Sequence, residues 1–267
     1  MYGTSDRPAP GRIVCLSAEH VEICYALGAG SRVVGVPGTA HHPAEARDKT
    51  RVGGFTAFRT DRILGLRPDL VLAFSDLQGG VAAELIREGL PVLCTNQRSI
   101  GEMLQAILMV GGALGLPEEA RACVLDLREE IRQVREFSSM WPHRPRVYFE
   151  ERPEPPMAGI CWVSEIIEIA GGRDIFSELR DKRLAADRIV DPVEVIRRDP
   201  EIILAACCGK PVDREAVRAR PGWGAISAVR RGEIHEIEGV NVLAPGPSLM
   251  AGMREIHEII QRSLARA

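Results

Sequence analysis

Short apolar runs alternate with amphipathic stretches along the first half of the chain. Residues 12–16, 32–36, 70–74 and 91–95 are brief and rich in Val, Ile and Leu, as strands covered on both faces are. Between them, residues 19–27, 61–67, 80–88 and 99–114 carry helical spacing. The stops agree with the starts. Gly28 follows the first helical stretch, Pro68 the second and Gly89 the third, and Ser99 with Glu102 three residues on forms a capping box for the fourth. Strand–helix alternation of this kind predicts an α/β domain with a mostly parallel sheet.

Pro117 opens a longer helical stretch, residues 118–138, with Glu118 and Glu119 at its positive end. Trp141-Pro142-His143-Arg144-Pro145 ends it. The alternation then resumes, with strands predicted at 146–150, 202–207 and 233–237 and helices at 163–170, 192–198, 213–219 and 248–265. The second half echoes the first. Asp61 to Ala73 and Val193 to Ala205 both read as a short helix, then Pro and an acid, then an apolar strand. The fold class expected is α/β: two lobes, each with a central mostly parallel sheet, joined by one long helix. The boundaries are an N-terminal lobe over 11–116, a connecting helix over 117–141 and a C-terminal lobe over 142–267.

Composition narrows the class of protein. The 267 residues are 45% hydrophobic and 27% charged with a net charge of −3, which excludes disorder and a field that gathers nucleic acid. No stretch is apolar enough to span a membrane. Seven cysteines, an odd number, sit mostly in apolar segments, and the first residues lack the basic start and apolar run of a secretory leader. A cytoplasmic location is therefore expected, or a periplasmic one if a leader has been removed.

Several catalytic motifs are missing. Gly28-Ala29-Gly30 follows a helix rather than a strand and reads as a helix stop, not a dinucleotide loop. There is no P-loop, no GxSxG elbow and no zincin pair, since His257-Glu258 lacks its second histidine. Cys207-Cys208 are adjacent and have no CxxC spacing.

The residues that stand out instead gather at predicted strand ends, where open α/β sheets place ligands. His41-His42 follow the second strand and offer imidazoles to a metal; the competing reading is two solvated loop histidines. Phe74, Asp76 and Gln78 end another strand and expose an aromatic beside polar groups, unless Phe74 is core and Asp76 a helix cap. Asn96-Gln97-Arg98 end the next, with side chains suited to a carboxylate or an amide. In the second half, Glu150-Glu151 end a strand and Trp162 opens a helix as the strongest single ligand contact, against a core-packed Trp. Cys208 ends a further strand, and an inert thiol is the alternative there. Trp223, after Pro221-Gly222, reads as a structural plug.

With Arg12-Ile-Val-Cys-Leu-Ser, Tyr25-Ala-Leu-Gly-Ala-Gly, Arg51-Val-Gly-Gly-Phe, Leu66-Arg-Pro-Asp-Leu-Val-Leu-Ala and Ile169-Ala-Gly-Gly in this order, the chain resembles the class III substrate-binding proteins of ABC importers. These two-lobe proteins receive vitamin B12, haem and iron–siderophore chelates. Phe74-Ser-Asp-Leu-Gln, Asn96-Gln-Arg-Ser, Trp162-Val-Ser-Glu, Cys208-Gly-Lys and Pro245-Gly-Pro look most like the leaderless cobalamin-binding branch. The resemblance implies a non-catalytic protein with no catalytic cofactor, holding a large metal chelate between its lobes. A corrinoid, cobalamin or a relative, is the implied ligand. Phe55, Phe74 and Trp162 would give ring contacts, Asp76, Gln78, Arg98 and Glu151 polar anchors, Cys208 a further contact, and His41 or His42 an axial ligand to the metal. It also implies an ABC permease as partner, docked through one acidic residue on each lobe; those positions hold Asp61 and Val193 here, which weakens the implication. Two alternatives stay open: haem or a ferric chelate held through His41 and His42, or an intracellular metallocofactor-handling protein or enzyme reusing the fold.

Overall fold

The structure is a computed structural model that describes residues 9–206 and 212–266. It divides into two compact units, one running to Gln97 and taking in Gly101–Asp126, the other comprising Arg98–Ile100 and the chain from Leu127 onward.

In the first unit, β1 (Ile13–Cys15), β2 (Val33–Pro37), β3 (Thr50–Gly53), β4 (Leu70–Phe74) and β5 (Val92–Thr95) form one parallel sheet in the order β3-β2-β1-β4-β5. The helices are α1 (Ala18–Ala26), α2 (Thr60–Gly65), α3 (Gly79–Arg87) and α4 (Ile100–Ala113). Every residue of β1 and β4 is buried, which is why those runs show no polar alternation. Val14, Leu16, Ile63, Val71 and Leu85 are at the centre of the packing. Gly28 takes a left-handed φ of 75° at the end of α1, the conformation its sequence position implies. The sequence pattern misses β3. It is the sheet edge, and only Val52 of its four residues is buried, so little apolar signal is needed there.

Helix α5 (Pro117–Ser139) has 23 residues and a length of about 34 Å. The division between the units falls within it, after Asp126.

The second unit contains β6 (Arg146–Pro153), β7 (Pro156–Ala158), β8 (Arg173–Asp174), β9 (Ile202–Ala205) and β10 (Ile234–Glu236). The order is β10-β9-β6-β7, with β8 alongside the start of β6; β6 and β7 are antiparallel and the other pairs parallel. Helices α6 (Cys161–Ile169), α7 (Pro192–Arg198), α8 (Arg214–Arg218), α9 (Ser227–Arg231) and α10 (Leu249–Leu264) accompany it. Tyr148, Phe176, Val195, Ile203 and Trp223 pack together in its core. Neither β7, which begins on a proline, nor the two-residue β8 has the length or the alternation to be read from sequence. The five-residue α9 is likewise too short to show a period.

The internal echo extends to the backbone. Arg67 and Asp199, each just before its proline, both take left-handed φ angles, 48° and 46°. The acid after each proline then receives the backbone N–H at the start of the adjacent strand. Arg12 N–H donates to Asp69 Oδ2 at 2.9 Å, and Arg146 N–H to Glu201 Oε2 at 3.0 Å. The arginine side chains differ by one position: Arg12 donates to Leu66 O, two residues before its proline, and Arg146 to Asp199 O, directly before its own. Among the described residues, no helix is long and apolar enough to cross a membrane.

Candidate functional site

In the first unit the chain reverses direction across the sheet after β3, so β1 and β4 flank the switch point, where ligands of open α/β sheets collect. The carboxyl ends of all five strands carry candidate residues. After β1, Ser17 and His20 are buried, and the His20 ring bridges Ser17 Oγ (Nδ1, 2.7 Å) and Thr95 Oγ1 (Nε2, 2.9 Å), tying the ends of β1 and β5. Burial pulls the imidazole down to about 3, so it is neutral, and it serves as one donor and one acceptor. Sequence reasoning passed over this residue; its spacing of three from Ser17 was the available signal.

Gln78 spans the ends of β4, β1 and the loop after β3. Its Oε1 accepts from Phe74 N–H at 2.9 Å, and its Nε2 donates to Leu16 O at 2.9 Å and Phe55 O at 2.8 Å. Both amide hydrogens are thus used within the chain and the residue is fully buried. This corrects its expected role as a polar anchor: Gln78 builds the loops instead. Phe74, expected to be exposed, is 4% exposed, whereas Phe55 is 39% exposed with its ring 6.5 Å from that of Phe74. Ser75, not Asp76, accepts the capping hydrogen bond, from Leu77 N–H; Asp76 is exposed beside it.

His41 and His42 are both exposed on the loop after β2. Arg51 fixes the base of that loop by donating to Pro37 O and Ala40 O, each at 2.8 Å. Among the described residues, no three His, Cys, Asp or Glu side chains gather as a metal site. After β5, Asn96 is exposed and Gln97 buried. Both polar atoms of the Gln97 side chain are enclosed without a hydrogen-bond partner among the described residues. A buried amide in that state is costly and calls for a partner. Arg98, half-buried, falls in the second unit.

In the second unit the carboxyl half of β6 is charged. Glu150, at 2% exposure, holds Arg220 through two hydrogen bonds of 2.6 and 2.8 Å and accepts from Tyr148 Oη at 3.3 Å. The guanidinium lies 4.4 Å over the Trp223 ring, so Trp223 is the plug its sequence context implied. Burial, then the Glu150 charge, pushes the Tyr148 phenol well up. Glu151 is paired with the buried Arg188 at 2.5 Å, and Arg188 also donates to Ala158 O. That corrects Glu151 from a polar anchor to one half of an internal ion pair. Trp162 is corrected too. It is 4% exposed, and its indole N–H donates to Val242 O at 2.8 Å, so it packs within the second unit. Cys208 lies outside the described residues. An open depression bordered by Arg173, Asp174, Ile175, Ser177 and Arg198 sits at the amino end of β6, away from the strand ends that carry these residues.

Over residues 13–239 the sequence matches the periplasmic binding protein family, and the chain belongs to it. Its members are non-catalytic solute-binding proteins of ABC transporters. An uncharacterized ABC transporter substrate-binding lipoprotein of Bacillus subtilis (strain 168), YvrC, is 27% identical, covering 94% of this chain and 80% of that protein. A vitamin B12-binding protein of Vibrio campbellii (strain ATCC BAA-1116) is 27% identical over 199 residues, 73% of this chain and 70% of its own length. Among solved structures, the apo form of the periplasmic heme-binding protein RhuT from Roseiflexus sp. RS-1 matches with a TM-score of 0.82 at 23% identity, covering 95% of this chain and 98% of that one. That last likeness is one of fold.

Proposed function

We propose that this protein binds a corrinoid, cobalamin or a close relative, as the solute of an ABC importer. The observation that carries the reading is the buried amide of Gln97, which has no hydrogen-bond partner among the described residues. It needs a partner that both donates and accepts. The rim of a corrinoid is set with carboxamides, which do both. The rim of haem ends in carboxylates, which only accept and call for cationic donors. Phe55, exposed and backed by Phe74, supports the reading as a ring contact for the macrocycle, with Asp76 as a polar neighbour. His41 and His42, on a loop held by Arg51, are the candidates for an axial ligand to the cobalt.

Calorimetric and spectral titration with cyanocobalamin and with cobinamide tests this. Saturable one-to-one binding is expected, weakened about tenfold in Gln97→Leu for the loss of one hydrogen-bonded contact. No heat and no spectral change at high micromolar ligand would sink the corrinoid reading. A second reading, haem, is favoured by the paired exposed histidines. A Soret band on adding haemin that disappears in the His41→Ala, His42→Ala double variant would put haem in place of the corrinoid.

The implied partner is an ABC permease, supported by the kinship to YvrC. Of the docking positions, Asp61 is exposed and bridged to Arg59 at 2.9 Å, and Val193 is 66% exposed. Glu194 beside it is already bound to Arg197 and Arg198.

A further inference from the structure

Cys15 ends β1 and Cys24 lies in α1, and both are fully buried. Their sulfurs are 3.9 Å apart. Four residues before Cys24 on the same helix, His20 makes its two hydrogen bonds to the ends of β1 and β5. The helix is therefore held to the strand ends at one turn by His20, and at the next turn two thiols meet. We propose that Cys15 and Cys24 are a redox pair, closing to a disulfide when the chain folds in contact with a low-molecular-weight disulfide such as oxidised glutathione. Closing the sulfur gap from 3.9 Å to bonding distance takes an approach of about 2 Å shared between two side chains.

The step balances by thiol–disulfide exchange. The thiolate of one cysteine attacks a sulfur of glutathione disulfide and expels one glutathione thiolate. The thiolate of the other cysteine then attacks the protein sulfur of the mixed disulfide and expels the second. The protein loses two electrons and two protons, and one glutathione disulfide becomes two glutathiones. The pairing must precede burial. In the folded chain the Cys15 thiol is pushed well up, first by desolvation and then by its hydrogen bond with Cys24, and a buried protonated thiol exchanges slowly. The state of the pair then records the compartment in which the chain folded.

The test is to refold the full chain from denaturant in a glutathione redox mixture, block free thiols with iodoacetamide under denaturing conditions, and digest with trypsin. No Lys or Arg lies between Arg12 and Arg32, so both cysteines fall in one peptide. The expected peptide carries no alkyl group and lacks two hydrogens relative to its reduced form. Alkylation of both cysteines in that peptide after redox refolding would overturn the proposal. Chain that is already folded and reduced is expected to convert at least about tenfold more slowly; equal rates would overturn the requirement that the bond forms before burial.

Discussion

The amino ends of the two sheets and their carboxyl ends obey different rules. At the amino ends the halves of the chain repeat one device: a left-handed residue before proline, an acid after it, and that acid receiving the backbone N–H at the start of the neighbouring strand, through Asp69 in one unit and Glu201 in the other. At the carboxyl ends the repetition stops. The first unit joins its strand ends with neutral groups, Gln78 and the Ser17–His20–Thr95 bridge. The second ties one strand, β6, to the segments around it with charge, through the Glu150–Arg220 and Glu151–Arg188 pairs. The difference teaches that the amino ends serve the fold, which both units share, while the carboxyl ends have been free to diverge, as ends that meet ligands are.

The comparison breaks most visibly at the carboxyl ends. Glu150→Ala removes the two charge-assisted hydrogen bonds that Arg220 makes to a buried carboxylate, and the expected loss is about 3–5 kcal/mol. Gln78→Ala strands one N–H and two carbonyls but no charge, and about 2–3 kcal/mol is expected. Urea denaturation of both variants checks the order; a Gln78→Ala cost equal to or above that of Glu150→Ala would contradict the distinction between charged and neutral closure.

The neutral bridge has a pH signature. The folded value for His20, about 3, lies below the ordinary 6.5, so as pH falls the unfolded chain takes up the proton first. The contribution of His20 is complete above about pH 6.5 and is lost progressively toward pH 3, by at most about 1.4 kcal/mol per pH unit. Stability measured between about pH 6 and pH 4 is expected to fall less steeply in His20→Gln than in the parent chain. Parallel slopes would remove His20 from the account.

At the amino ends the expected effects are smallest and, unlike those above, alike. Asp69→Ala deletes the acceptor of the Gly11 and Arg12 N–H groups, and Glu201→Ala that of the Arg146 N–H together with contacts to His143 and the Arg146 guanidinium; each is expected to cost about 1–2 kcal/mol. Thermal or urea unfolding of the two variants, differing by no more than about 0.5 kcal/mol, would sharpen the idea of a shared device; a large difference would dissolve it.

Much of this was legible in the residues. Val71, Leu72 and Ala73, all buried in β4, declare a central strand by having no polar neighbour, and Gly28 and Pro117 punctuate helices because their backbones admit few alternatives. The echo of Asp61–Ala73 in Val193–Ala205 was legible as well, because it rests on local order along the chain. The candidate site was read less fully. Placing Phe74, Asp76 and the histidines at strand ends needed only the alternation of elements; Phe55 came from the resemblance alone, because the strand before it shows no apolar run. Telling that Gln78 spends its amide on Leu16, 62 residues away, or that Glu150 finds Arg220, 70 residues away, did not follow from any spacing. For the same reason Trp162 read as a ligand contact although its indole is committed to Val242.

The sequence by itself determined the alternating α/β elements, their breaks, and the doubling of the pattern, because each depends on periodicity and backbone freedom within a few residues. Only the tertiary structure decided which polar side chains are already satisfied and which, like Gln97, are buried with no partner among the described residues. Hydrogen-bond capacity is filled by whatever the fold brings within about 3 Å, and that neighbour is set by the packing of distant segments.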